Sequence, residues 1–209
     1  MINPFHHLPD HQKLDHEQCK NAKVYGSRED FIKTLPHDIE FIEVGVAAGD
    51  FSEFIMDTCK PKRAVLIDIY TEKDLFFLEP GLTRYTGEEN LDFVTNRMKK
   101  YSGVEIVQKD SLKALPELVT KNELFDFIYI DASHEYKNVI LDIESSCHLL
   151  KEYGILGLND YIWKDENGTQ YGVIPAVNKF LEANKDWEII AFAFHDRMYA
   201  DVYLRRIMP

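Results

Sequence analysis

The chain has 209 residues, with 24 Lys and Arg against 36 Asp and Glu, a formal net charge of −12. A hydrophobic content of 45% with 12% aromatics is that of a globular chain with a core of its own, which excludes a disordered one. The acidic balance also argues against a nucleic-acid binder and against docking on anionic membranes, because both need a basic face. Cys19, Cys59 and Cys147 are too few and too scattered for a disulfide framework or a metal knuckle, which points to a reducing, cytoplasmic setting. The N-terminus has no apolar stretch, so it does not read as a signal peptide, and the most apolar run, Ile189–Phe194, is far too short to span a bilayer.

Residues 1–25 read as a polar extension containing His6, His7, His11 and His16, whose irregular spacing fits a solvated tail or a substrate-facing flap better than a metal site. The domain proper reads as 26–209. Ser27 can cap a short helix over Arg28–Leu35, ended by Pro36. Apolar strands are then predicted at Glu40–Val44, Ala64–Ile69, Val104–Val107, Phe125–Ile130 and Ile155–Leu158. Helical spacing is predicted between and after them at Ser52–Cys59, Glu88–Tyr101, Leu112–Val119, Tyr136–Leu150 and Ile174–Ala183. Such alternation implies a mostly parallel sheet covered on both faces. Trp187–Phe194 and Tyr199–Ile207 are two strand-like runs with no helix between them, so they are expected to form an antiparallel hairpin, with His195 and Arg197 in its turn. Residues 71–87 fit neither period and read as an insertion loop whose Phe76, Phe77 and Tyr85 can line an acceptor pocket or pin the loop. Asn167-Gly168-Thr169 reads as a polar turn, His148 as a packing or surface residue, and Trp163 as a wall of the acceptor site.

Ligands of an open α/β sheet bind beyond the carboxyl ends of its strands, so the residues there are the candidates. The first of these strands is followed by Gly45-Val46-Ala47-Ala48-Gly49, a small-residue turn that lets a ligand approach the backbone. Asp68 ends the second and can accept both hydroxyls of a ribose, or serve as a cap or surface carboxylate. After the third come Asp110 and Ser111, where Asp110 can cap the next helix or face an adenine edge. The third glycine of a dinucleotide turn is missing, which disfavours a nicotinamide oxidoreductase and suits a nucleoside without phosphates, such as S-adenosylmethionine (SAM).

The runs FIEVGVAAGDFS (Phe41–Ser52), VLIDIY (Val65–Tyr70), KDS (Lys109–Ser111), FIYIDASHEY (Phe127–Tyr136) and GILGLNDY (Gly154–Tyr161), in this order, resemble a class I SAM-dependent methyltransferase. Within that class they are similar to the small O-methyltransferases of the macrocin and cephamycin type, methyltransferase domain family 24. The resemblance implies a Rossmann-like α/β fold with a seven-stranded, mostly parallel sheet and a C-terminal antiparallel hairpin. It implies that Glu43, Gly45 and Gly49 form the SAM-binding turn, that Asp68 holds the ribose, and that Asp110 and Ser111 flank the adenine. It places Asp131 beside the reacting methyl and His134 as the histidine that follows it. Asn159-Asp160 stands where the family has His-Asp, so no imidazole is available there.

The same residues suggest chemistry directly. Asp131, Asn159 and Asp160 end neighbouring strands and are all oxygen donors, a set that suits Mg²⁺, Ca²⁺ or Mn²⁺ rather than zinc. Such an ion could acidify a substrate hydroxyl, with His134 as the base. The alternatives are caps and solvated carboxylates without metal. The expected function is methyl transfer from SAM to a hydroxyl of a small molecule, with Mg²⁺ as an optional helper. Metal-free N- or O-methylation of a sugar or amino sugar, and SAM binding without turnover, stay open. So do the acceptor's identity and homo-oligomerisation.

Overall fold

The computed structural model describes residues 13–71, 90–165, 167–195 and 199–207. His6, His7, His11, Phe76, Phe77, Tyr85 and Arg197, named above, lie outside them. The elements run β1 (Lys23–Tyr25), α1 (Arg28–Ile32), β2 (Glu40–Val44), α2 (Asp50–Cys59), β3 (Arg63–Asp68), α3 (Asn90–Met98) and β4 (Val104–Gln108). They continue α4 (Ser111–Thr120), β5 (Phe125–Ile130), α5 (Tyr136–Cys147), β6 (Leu150–Leu158), α6 (Val173–Ala183), β7 (Trp187–Phe194) and β8 (Ala200–Arg206).

Together they make one sheet in the order β1-β7-β8-β6-β5-β2-β3-β4. It is parallel except at β8, which runs antiparallel to both β6 and β7. The predicted parallel sheet and terminal hairpin are therefore present, and eight strands stand where seven were expected. The extra strand is β1, an edge strand pairing Val24 with Phe192 of β7, drawn from residues assigned above to the polar extension. Gln18 ties that segment down. It is 3% exposed, and its amide donates to the carbonyls of Leu181, Asn184 and Trp187, at and just beyond the end of α6.

Alternation within the buried strands builds two cores. Ile42, Val44, Ile128 and Ile130 face α4, α5 and α6. Phe41, Phe127 and Tyr129 face α1, α2 and α3. Because both faces are covered, the strands read as near-continuous apolar runs. The helix predicted to Leu150 stops at Cys147, since Leu150 already pairs with Phe125 as the start of β6.

The strand order reverses between β2 and β5, so the chain leaves β2 at the switch point. There Gly45 has φ +88°, and a Cβ on it would lie 2.0 Å from the Asp131 carbonyl oxygen. Only glycine lets the turn pass under the end of β5. Gly168 has a similar φ of +81° but open space around it. Gly45→Ala is expected to lower unfolding free energy by more than about 3 kcal/mol, against about 1 kcal/mol for Gly168→Ala, where only the backbone strain acts. Urea denaturation of the two variants measures the difference.

Candidate active site

Beyond the switch point lies a cavity of about 350 Å³ lined by Gly45, Ala47, Asp68, Asn90, Lys109, Asp110, Ser111, Asp131, Ser133 and Asn138, among others. Six of the sequence candidates thus meet there or border it: Gly45, Asp68, Asp110, Ser111 and Asp131 on the wall, and Gly49 behind it, as the left-handed N-cap of α2 at φ +78°. Glu43 lies elsewhere. It is 2% exposed beneath the turn, where its carboxyl accepts from the Ser52 hydroxyl of α2.

The turn is gripped from both sides. Asp68 Oδ2 accepts from the backbone N–H groups of Val46 (2.7 Å) and Ala47 (3.0 Å), and its Oδ1 accepts from Tyr70 (2.9 Å). The carboxylate read as a ribose acceptor therefore also fixes the shape of the turn, with lone pairs left over for the cavity. On the other side the Asn90 amide donates to the Ala47 carbonyl (2.8 Å), and Arg97 to that of Ala48 (2.9 Å). Arg97 is itself held by Asp50 and Glu53. Asp110 caps α4 by accepting from the Leu112 N–H at 2.8 Å, as one sequence reading expected, and it also lines the cavity. Three residues other than glycine have positive φ at these strand ends, Ala47, Tyr70 and Asp160. Local strain of this kind gathers at functional sites.

The opposite end of the site is charged. Arg28, in the first turn of α1, lies over the Phe51 ring at 4.3 Å, donates to Tyr129 Oη at 3.4 Å and stands 3.8 Å from Asp131 Oδ2. Burial works against its charge, but Tyr129, Asp131 and Asp201 outweigh that and hold it firmly protonated. Tyr129 and Tyr203 donate to Asp201 Oδ2, at 2.7 and 3.1 Å. Burial pushes the Asp131 carboxyl well up, with Arg28 opposing and Asp160 and Asp201 adding to the rise. Burial and Asp201 push Asp160 up to about 7. His134 Nε2 stands 3.2 Å from Asp160 Oδ2 and 4.0 Å from Asp131 Oδ1, without the alignment of a formed hydrogen bond. Its ring stacks on Tyr171 at 4.4 Å, and burial lowers its proton affinity, so the imidazole is neutral near pH 7.

The trio read from the sequence as metal ligands is not turned to one point. The Asn159 amide nitrogen donates to Asp201 Oδ1 (3.0 Å) and Tyr129 Oη (3.2 Å), which ties the side chain to that network. Among the described residues no three His, Cys, Asp or Glu side chains are placed to hold a metal ion. The cation acting on Asp131, Asp160 and Asp201 is the guanidinium of Arg28. This donor set does not fit Mg²⁺. Trp163 lies near the site's rim, where its carbonyl accepts from the Tyr171 N–H, and His148 is exposed at the end of α5. Sequence reasoning passed over Arg28, Asn90, Arg97 and Asp201. Only Arg28 left a signal, a basic residue in a helix's first turn, where acids are favoured.

A family model described as a methyltransferase domain matches residues 42–161. No curated protein matches the chain in sequence. Among solved structures, the O-methyltransferase from Bacillus cereus in complex with SAH aligns with 95% of this chain and 84% of its own, at 15% identity and a TM-score of 0.62. The N-methyltransferase NodS from Bradyrhizobium japonicum WM9 in complex with S-adenosyl-L-homocysteine aligns with 87% and 86%, at 18% identity and 0.59. Aeropyrum pernix fibrillarin with natively bound S-adenosyl-L-methionine aligns with 84% and 72%, at 12% identity and 0.57. At these identities the likeness is one of fold. No helix among the described residues is long and apolar enough to cross a membrane.

Glu43 supplies a test of the turn's foundation. Burial pushes its carboxyl up to about 8, with the Ser52 bond opposing, whereas an unfolded chain releases that proton near 4.3. Between these values the folded state binds more protons, so stability falls as pH rises through the window. Glu43→Gln removes this contribution. Denaturation from pH 5 to 8.5 is expected to show the variant gaining on the unchanged protein by on the order of 3 kcal/mol. Parallel curves would mean that Glu43 is ionised in the fold.

Proposed function

Because the chain belongs to the methyltransferase domain family, its model covering residues 42–161, we propose that it transfers a methyl group from SAM to a hydroxyl of a small-molecule acceptor. The observation that carries this reading is the switch-point cavity, whose wall includes Gly45, Asp68, Asp110, Ser111 and Asp131, with the His134 imidazole next to Asp131 and Asp160 beyond that wall. The Gly45 turn would take the amino-acid part, Asp68 the ribose, and Asp110 with Ser111 the adenine. Asp131 would stand beside the methyl. Its carboxylate suits a sulfonium, which carries positive charge only until transfer. The net charge of −12 supports a small acceptor over an RNA.

In the transfer the acceptor oxygen attacks the methyl carbon in line, the carbon–sulfur bond breaks, and S-adenosylhomocysteine leaves. The acceptor's proton passes to His134, whose Nε2 faces Asp160. Tyr171 fixes the plane of the ring. Most of the acceleration comes from holding the two reactants in line. The charge partner of the carboxyls is Arg28, and the proposed step needs only His134 as proton acceptor.

Isothermal titration is expected to give micromolar binding of SAM and S-adenosylhomocysteine, roughly −8 kcal/mol, with NAD far weaker. Asp68→Ala is expected to weaken that binding at least about tenfold, through lost hydrogen bonds to a charged group and a loosened turn. His134→Ala should lower turnover by about 10²–10⁴-fold in an acceptor screen while leaving S-adenosylhomocysteine affinity alone. Turnover should survive EDTA. NAD binding in place of SAM would sink the cofactor assignment, and full activity in His134→Ala would sink the base.

A further inference from the structure

Arg28 is placed by long contacts. Its guanidinium stands 3.4 Å from Tyr129 Oη and 3.8 Å from Asp131 Oδ2, and its Nε, 3.5 Å from Glu29 Oε1, has no formed hydrogen bond. Contacts of that length hold a flexible side chain weakly, so the place of the guanidinium is decided by how its backbone enters the site. The helix that carries it, α1, has five residues, well short of the roughly 12–15 that an isolated helix needs. Its direction must come from outside.

The chain before α1 wraps the edge of the sheet. Leu14, Cys19 and Ala22 pack on the core under α4, α5 and α6, whereas Tyr25, Phe31 and Ile32 belong to the core on the opposite face. Between them the chain crosses as β1, which pairs with Ala191, Phe192 and Ala193 of β7. Only Gly26 and Ser27 separate β1 from Arg28. So short a strand is a slight hold, and its middle residue, Val24, is 65% exposed. The firm hold is Gln18, in the single 3₁₀ turn His16–Gln18. Its two amide hydrogens are shared among the carbonyls of Leu181, Asn184 and Trp187, at 3.0, 3.0 and 2.9 Å, and its Oε1 accepts from Lys185 at 3.2 Å. Beyond β1 the Tyr25 ring meets Phe31 edge-on at 5.4 Å, Phe31 stacks on Tyr203 at 3.6 Å, and Tyr203 donates to Asp201. The strap thus ends in the same network that Arg28 enters.

We propose that Gln18 is a positioning residue for the transfer: by fastening this strap to the end of α6, it fixes the line on which the chain enters α1 and so holds Arg28 between Tyr129 and Asp131. The inference rests on the reading above that Asp131 stands beside the sulfonium of SAM. With no donor at position 18, β1 loosens, Tyr25 leaves Phe31, and Arg28 can turn to Glu29, whose side chain is more exposed than that of Asp131. Burial then raises the proton affinity of Asp131 with less opposition from Arg28, while Asp160, Asp201 and Glu43 add to the rise. A protonated Asp131 no longer tells a sulfonium from a thioether.

The test is calorimetric titration of the full chain with SAM and with S-adenosylhomocysteine, which differ only in the transferred methyl and its charge. Gln18→Met keeps the length of the side chain and removes its donors. It is expected to lower the ratio of SAM to S-adenosylhomocysteine affinity by at least about threefold, as Arg28→Met does, with S-adenosylhomocysteine affinity nearly unchanged. In the Arg28→Met background Gln18→Met should move the ratio no further, because the two residues act as one unit. A loss of stability alone would weaken both compounds together and leave the ratio where it was. Tyr25→Ala, which breaks the strap beyond the clamp, should lower the ratio in the same way, and it decides if either methionine variant does not fold. An unchanged ratio in Gln18→Met, or an equal further change on top of Arg28→Met, overturns the inference and leaves the cofactor reading standing. So does an unchanged ratio in Arg28→Met, since the strap then has nothing to position. No binding of either compound by the unchanged protein overturns both.

Discussion

The edge of the site around Asp131 and Asp160 depends on one half-buried cation. Arg28 reaches from α1 across the Phe51 ring to Tyr129 and Asp131, and its charge also acts on Asp160 and Asp201. A guanidinium removed from water is expensive unless acidic partners surround it, and these carboxyls are expensive without a cation. Each therefore makes the other tolerable. The consequence is architectural as well as electrostatic, because the partners come from α1, α2, β5, β6 and β8. The network fixes where the ends of β5 and β6 lie, and Asp160 can then turn at positive φ toward His134.

The two ends of the site are built by different means. Around the Gly45 turn the work is done by backbone groups, with Asp68 accepting from its N–H groups and Asn90 and Arg97 donating to its carbonyls. Such a turn is rigid, and it favours a ligand recognised by direction and close approach. At the other end, around Asp131, His134 and Asp160, the groups are titratable and their proton affinities are pulled apart. Burial lowers that of the imidazole and raises those of the carboxyls. Divergent proton affinities between neighbours are the usual mark of an acid–base site.

Much of this was legible in the sequence. β2 and β5 begin and end where their apolar runs do, because strands buried on both faces have little choice of composition. The meeting of Asp131, His134 and Asp160 followed from strand ends lying side by side. What could not be read depended on long-range pairing without a local pattern. β1 is three residues at a sheet edge, with Val24 exposed, so it carries no apolar run. Asn159 looked like an oxygen ligand because, with Asp160, it ends the strand beside the one that ends in Asp131. Its amide instead turns to Asp201, a residue of the last strand. Arg28 lies in a short surface-like helix, and only the folded chain shows that its guanidinium points inward.

The charge account of the proposed reaction ties these parts together. A sulfonium brings one positive charge into the cavity beside Asp131, and methyl transfer removes it from sulfur. The acceptor's proton carries the same charge onward. If that proton moves to His134, the positive charge settles 3.2 Å from Asp160 and 4.0 Å from Asp131. The charge of the site is then conserved through the step and only shifts in place, from one side of Asp131 to the other. An imidazole held neutral beforehand can accept the proton, and the neighbouring Asp160 carboxyl, already partly ionised near pH 7, stabilises the imidazolium without giving up a proton of its own. Arg28 opposes the rise in proton affinity that burial gives Asp131 and Asp201, so the cation that organises this edge of the fold also tempers the two carboxyls beside the proposed base.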